Sequence, residues 1–378
     1  MIGEVREAAA AGHDTTRLLN RQAALEEAVR RRAHRTPGQD LEPMELEPAM
    51  GTLGVTLGDR ALIEIAALHG DLHAVVVVDG RARLRRLGQL AHVRGELANL
   101  SFSLRRLAYR GRPATSQAAA REALAYAAAR LDELLFDPLR GDIGDRPLVI
   151  VPTGALHALP WATLPTCAGR SLSVAPSATL WLNVTRPEPR RPRSRVVLAA
   201  GPGLPDATAE VEDLSGSYQD ALVLKGEDAR VDAVAAALDG AGLGHVAAHG
   251  RFRADNPFFS SLQLADGPLT VYDLEALRRA PTRLVLSACD SGLSAVRPGD
   301  ELMGLAAAVF SLDTRTLIAS VVPISDAATR PLMIGLHAGL RAGLAPSAAL
   351  VQAQAHARAA DDDMSLAASM SFVCFGAG

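Results

Sequence analysis

The chain has 378 residues, 48% of them hydrophobic but only 4% aromatic, and a formal net charge of −3. Such a length supports two domain-sized units or one large α/β unit with additions, and the apolar fraction excludes general disorder. The small net charge argues against nucleic acid or an anionic membrane as partner. The three cysteines, Cys167, Cys289 and Cys374, are far apart and argue against a disulfide framework or a cysteine zinc site.

The start, MIGEVREAAAAGHD, is charged and lacks an apolar core, so no signal peptide is expected. Residues 1–36 are predicted to be helical: Leu18, Leu19, Ala23, Leu25 and Val29 recur at helical spacing among charges. Residues 37–52 carry Pro37, Pro43 and Pro48 and read as a linker. No tetratricopeptide-like repeat is visible.

From 53 to 184 the pattern is a smaller α/β region. ALIEIAALHGDLHAVVVVDGRARLRRLG reads as short strands joined by His-Gly and Asp-Gly turns. Helices are predicted over 93–109 and 118–135, then a buried strand in PLVIVPTG. Residues 185–195, TRPEPRRPRSR, have almost nothing to bury and read as an exposed linker open to proteolysis. From 196 to 378 strands alternate with helices: RVVLAAGPG, GHVAAHG, RLVLSAC, TLIASVVP and a closing SFVCFG are the clearest strands. This alternation predicts a mostly parallel sheet between helical layers. No stretch is apolar enough over its length for a transmembrane helix. Together with the reduced cysteines this favours a cytoplasmic protein.

Ligands of such sheets bind beyond the carboxyl ends of the strands. Two strands end there on reactive side chains. HVAAHG ends on His249 and Gly250, and LVLSAC ends on Cys289. One strand–helix unit separates them, so the strands are expected to be neighbours. A free thiol has a pKa of about 8.5 and is mostly protonated at neutral pH. An adjacent imidazole can take its proton and later protonate a leaving amine. The backbone N–H groups of Gly250 and Cys289 are candidate oxyanion donors. Ser287, two residues before Cys289, could line a substrate pocket. Asp290 and Asp255 could orient His249 or favour a basic substrate residue.

At these residues the sequence resembles the CHAT domain, a mostly bacterial, caspase/separase-like family of cysteine peptidases. HVAAHGRFRADNPFFSSLQLADGPLTVYDLEAL, LVLSACDSGL and GDELMGLAAAVFSLDTRTLIASVVPISDAATRPLM carry the likeness. It extends upstream through SLSVAPSATLWL and PLVIVPTGALHALPWATLP to about Leu53. The resemblance implies a caspase-like three-layer α/β sandwich. It also implies a Cys–His dyad, with His249 as the family histidine and Cys289 as the nucleophile. Family members are often fused to tetratricopeptide repeats or encoded beside the proteins they cut, bacterial gasdermins and CRISPR-associated factors among them. This chain departs in lacking evident repeats, and SMSFVCFG matches the family's closing strand only loosely.

The expected function is therefore a cysteine endopeptidase of bacterial signalling or defence. It would need no metal or other cofactor. Its partners would be a protein substrate, such as a gasdermin or another genomic neighbour, and an activating sensor protein. The competing reading is a catalytically idle interaction module on the same fold; a third is a non-peptidase cysteine hydrolase or transferase. His157 reads as structural, His245 as a capping or edge residue, and Asp361 to Asp363 as a solvated loop. GPGLPD lacks the Lys-Ser/Thr of a phosphate loop.

Overall fold

Two dipeptides shape the start of the sheet. His69-Gly70 has φ of 51° and 87°, and Asp79-Gly80 has 50° and 70°. Positive φ at both central positions is what a type I′ turn requires. Hence β1 (Ala61–Leu68), β2 (Asp71–Val78) and β3 (Arg81–Gln89) pair antiparallel in succession. The computed structural model describes residues 46–108, 113–186, 195–251, 260–290, 298–324, 326–359 and 362–378.

Residues 1–52 and 53–378 are separate compact units. Helix α1 (Leu46–Leu57) covers the end of the predicted linker. Pro48 falls in its first turn, where a missing N–H costs no intrahelical bond. The helical segment predicted over 1–36 lies outside the described residues, as does most of the 185–195 linker.

Two long helices follow the hairpins, α2 (Leu90–Leu107) and α3 (Ala114–Phe136). Their buried faces repeat at helical spacing: Val93, Leu97, Leu100 and Leu104, then Leu124, Ala128, Leu131 and Leu135. Strands β4 (Leu148–Val151) and β5 (Leu172–Val174) then pair parallel with each other, and β4 also pairs with β1. Phe136 meets Trp161 edge-on, with centroids 6.4 Å apart, a geometry worth about 0.5–1.5 kcal/mol beyond burial.

After helix α4 (Ala178–Thr185) come β6 (Val196–Ala200), α5 (Pro205–Ser215), β7 (Leu222–Leu224), α6 (Val231–Leu238) and β8 (Leu243–Arg251). Next are β9 (Ser261–Gln263), β10 (Pro268–Thr270), α7 (Val271–Glu275), β11 (Arg283–Asp290), α8 (Pro298–Ser311) and β12 (Thr316–Ser320). Three helices close the chain with one strand: α9 (Asp326–Arg341), α10 (Pro346–Ala359), α11 (Asp363–Ser371) and β13 (Phe372–Gly376). Gly240, at φ 73°, ends α6 as the sequence suggests.

All described strands belong to one sheet, ordered β10-β9-β8-β11-β12-β13-β5-β4-β1-β2-β3, with β6 also beside β8 and β7 beyond β6. Most pairings are parallel; the exceptions are the β1–β3 and β8–β10 hairpins and β13 against β12. The single register pair Phe375↔Val174 joins the strands before residue 184 to those after 195. Helices α5, α9, α10, α11, α2 and α3 form one connected layer, and α4, α7 and α8 form another. The result is a three-layer α/β sandwich around a mostly parallel sheet, the fold class the sequence predicts. Among the described residues no helix is long and apolar enough to cross a membrane.

Candidate active site

Strand β8 is central. Its first half pairs parallel with β6, and its tip pairs antiparallel with β9 at Gly250 and Arg251. Along its other edge it pairs parallel with β11, in register from Leu243↔Arg283 to Gly250↔Asp290. Cys289 is the register partner of His249. Adjacent strands lie about 4.8 Å apart, so the two reactive residues stand side by side at parallel strand tips. Gly250 is buried, with Asp290 as partner on one side and Leu262 on the other. The side chains of Cys289 and Asp290, and all of Asp255, lie outside the described residues.

His249 is half-buried. Its Nδ1 is buried and has no hydrogen-bond partner among the described residues. Buried polar atoms in folded proteins are normally hydrogen-bonded. Its Nε2 faces the turn after β6. There Gly203, at φ +77°, is close enough that an added Cβ would lie 3.7 Å from Nε2. Gly201 is tighter still: a Cβ there would lie 2.4 Å from the Gln263 carbonyl oxygen. The Gly-Pro-Gly segment thus lets the chain pass over the tip of β8 while leaving the imidazole room. Gly203→Ala is expected to lose about 1–2 kcal/mol of stability from the left-handed backbone. It is also expected to slow alkylation of Cys289, because the strained turn shifts against the imidazole; an unchanged alkylation rate would contradict this placement.

Beneath the strand tips lies a buried polar chain. His245, four residues before His249, is fully buried in the middle of β8 and is neither a cap nor an edge residue. Its position is stable only because it is hydrogen-bonded at both nitrogens. Nε2 meets Glu210 Oε1 of α5 at 2.9 Å, and Nδ1 meets His337 Nε2 of α9 at 3.1 Å. His337 Nδ1 in turn meets the Tyr218 hydroxyl at 2.9 Å. The other Glu210 oxygen, Oε2, accepts from Thr329 Oγ1 at 3.0 Å, and Thr329 Oγ1 accepts from the Ser287 hydroxyl at 3.3 Å. Ser287 is itself 5% exposed and lies inside this layer.

Donor accounting fixes the direction of the chain at Glu210. A carboxylate only accepts, so His245 donates from Nε2 and Thr329 donates its hydroxyl proton to Glu210. One proton is shared between His245 Nδ1 and His337 Nε2, and one between His337 Nδ1 and the Tyr218 hydroxyl. Burial, with His245 beside it, holds the His337 pKa well below the ordinary histidine range. Below a pH of about 6.5 the unfolded chain therefore binds a proton at this residue that the folded chain does not. Stability is expected to fall as pH drops below that value, and His337→Gln to flatten the slope, as read by urea unfolding at a series of pH values.

The other two cysteines are fully buried. Burial pushes the Cys374 thiol up to about 12 and the Cys167 thiol up further. His157, half-buried, reaches the Pro152 carbonyl through Nε2 at 3.1 Å. In the acidic run, Asp362 caps α11 by accepting from Ser365 N–H, and Asp363 is buried and paired with Arg121, so these two are structural rather than loosely solvated. Among the described residues no cluster of His, Cys, Asp and Glu could hold a metal ion.

Sequence reasoning missed Glu210, His337, Tyr218 and Thr329. The legible signal was polarity on buried stripes. Glu210 shares the inward face of α5 with Ala207, Val211 and Leu214, and His337 shares that of α9 with Met333, Leu336 and Leu340.

Comparison with known proteins identifies the family and the fold. The CHAT domain family model matches residues 126–374, which include both strand tips. No curated protein matches the chain in sequence. Among solved structures, the Saccharomyces cerevisiae separase–securin complex at 3.0 Å is similar with a TM-score of 0.65 and 9% identity. That match covers 87% of this chain and 30% of the separase chain, so this chain spans under a third of that length. The 2.6 Å structure of the same complex gives 0.60 and 9%, over 87% and 31%. The Arg-specific cysteine proteinase gingipain R gives 0.43 and 11%, over 75% of each chain. The fold is thus shared with the separase structures, and the chain belongs to the CHAT-domain family.

Proposed function

We propose that the protein is a cysteine endopeptidase that cuts a specific protein target with a Cys289–His249 dyad. The observation that carries this reading is the register pairing of Cys289 with His249 at adjacent parallel strand tips. The buried Nδ1 of His249, without a hydrogen-bond partner among the described residues, supports it. His249 removes the thiol proton, and the Cys289 thiolate attacks the peptide carbonyl carbon. The resulting oxyanion is held by the backbone N–H groups of Gly250 and Cys289, each such donor being worth about 3 kcal/mol of barrier. Collapse breaks the C–N bond as the imidazolium protonates the leaving amine. Water, deprotonated by His249, then cleaves the thioester and restores the thiol. Asp255 and Asp290 remain candidates for orienting His249 or reading a basic substrate residue. The target is a protein of bacterial signalling or defence, such as a gasdermin or another genomic neighbour, and cleavage is gated by a sensor protein.

The test is selective alkylation. In the native protein a thiol-directed electrophile is expected to modify Cys289 well before Cys167 and Cys374, whose burial keeps them protonated and out of reach. His249→Ala is expected to slow the modification. Equal labelling of all three cysteines, or no effect of His249→Ala, would remove the activated thiol. It would favour an idle interaction module.

A further inference from the structure

One buried carboxylate holds both strands that carry the dyad. Glu210 Oε1 reaches β8 directly through His245, and Oε2 reaches β11 through Thr329 and Ser287. Both anchor points lie just below the reactive tips. His245 precedes His249 by one full turn of the strand repeat and one more, and Ser287 precedes Cys289 by a single repeat. Glu210 is 1% exposed, Thr329 1% and His245 fully buried, so these bonds are shielded from bulk solvent.

The anchors come from two different helices. Glu210 sits in α5, which begins right after the Gly-Pro-Gly turn that crosses His249. Thr329 sits in the first turns of α9. The same carboxylate therefore ties together β8, β11, α5 and α9, the elements on which the relative placement of His249 and Cys289 depends. The backbone ladder sets the register of β8 and β11, but apolar packing alone would leave the side chains beneath the tips free to shift by fractions of an ångström. Directional hydrogen bonds at fixed donor and acceptor atoms do not. A displacement of about 1 Å between catalytic groups can cost a hundredfold in rate.

We propose that Glu210 is a positioning residue for the His249–Cys289 pair, clamping the two strands through its two carboxylate oxygens. It touches no reacting atom and acts only through His245 and Ser287. The inference rests on the dyad reading given above.

The experiment measures the iodoacetamide alkylation rate of Cys289, by mass spectrometry of its peptide, from pH 5 to 10 on the full chain. Wild type, His249→Ala, Glu210→Gln, Ser287→Ala and Tyr218→Phe are compared, each checked for folding by circular dichroism. Glu210→Gln retains the shape but removes the charge and turns one carboxylate oxygen into an amide donor, so the Thr329 hydroxyl must rotate to accept and both charge-assisted bonds of the clamp are weakened. It is expected to slow Cys289 by about tenfold or more near neutral pH. Its pH profile should move toward that of an ordinary thiol. Ser287→Ala deletes one hydroxyl and leaves β8 anchored, so it is expected to give a smaller loss in the same direction. It also serves if Glu210→Gln does not fold. Tyr218→Phe removes the far end of the same chain, leaves both arms in place, and is expected to match wild type.

The inference is overturned if folded Glu210→Gln, or Ser287→Ala where Glu210→Gln is unfolded, keeps the wild-type rate and pH profile while His249→Ala is slow. The dyad reading itself is overturned, and this inference with it, if wild type reacts no faster than His249→Ala. If Tyr218→Phe slows Cys289 as much as Glu210→Gln does, the effect is general loosening of the core and the clamp is rejected.

Discussion

Cys289→Ala is expected to abolish cleavage of a target peptide, and His249→Ala to slow it by about 10²–10⁴-fold. The asymmetry follows from the chemistry. Without Cys289 no covalent intermediate forms, and neither remaining thiol can substitute. Cys167 and Cys374 are fully buried, with thiols pushed far above the range in which thiolate forms. Without His249 the thiol keeps a small thiolate fraction, so slow attack survives, but the leaving amine departs unprotonated. The readout is turnover of a peptide spanning the cleavage site. Activity in Cys289→Ala above a trace would place the nucleophile elsewhere.

The largest effect on stability is expected at Glu210. Glu210→Ala leaves His245 Nε2–H and the Thr329 hydroxyl without their acceptor inside a closed core. It also leaves a void where a 1% exposed side chain stood. Losing one member of a buried charged network costs about 3–5 kcal/mol, a large share of the stability of a typical domain. Chemical denaturation of wild type and Glu210→Ala measures this directly. A loss below about 1 kcal/mol would mean that water or a neighbouring side chain satisfies the freed donors.

Local signals made most of the fold readable. The two φ-positive turns at His69-Gly70 and Asp79-Gly80 are written in residue type, and they set three strands. The alternation of apolar strands and amphipathic helices after residue 195 reports a parallel sheet because each crossover needs a helix. What local signals could not give was long-range pairing. Nothing near Phe375 or Val174 announces that the two halves of the chain meet in one sheet through that pair. The Pro-rich stretch between them suggests a separation that the sheet does not have.

The same divide runs through the site. The placement of His249 and Cys289 on neighbouring strand ends was legible because each closes an apolar run, and strand ends are where α/β sheets place ligands. Their exact register came only from the structure. His245 was misjudged because a histidine in an apolar strand looks like a boundary. Its burial is made possible by Glu210 and His337, which are far away in sequence and converge only when α5 and α9 pack together on the sheet. A charged residue on the inward stripe of an amphipathic helix was the available clue. Such a residue needs a buried partner, although the helix alone does not say which.

The most direct test of the peptidase reading is a comparison of newly formed protein N-termini. Wild-type or Cys289→Ala protein is added to a lysate of the source cells, together with the products of neighbouring genes to supply a target or activator. New termini with wild type alone, aligning to a common sequence, are the predicted result and would give the specificity at the same time. Identical termini from both proteins, with the genomic neighbours present, would contradict it and leave a binding module in its place.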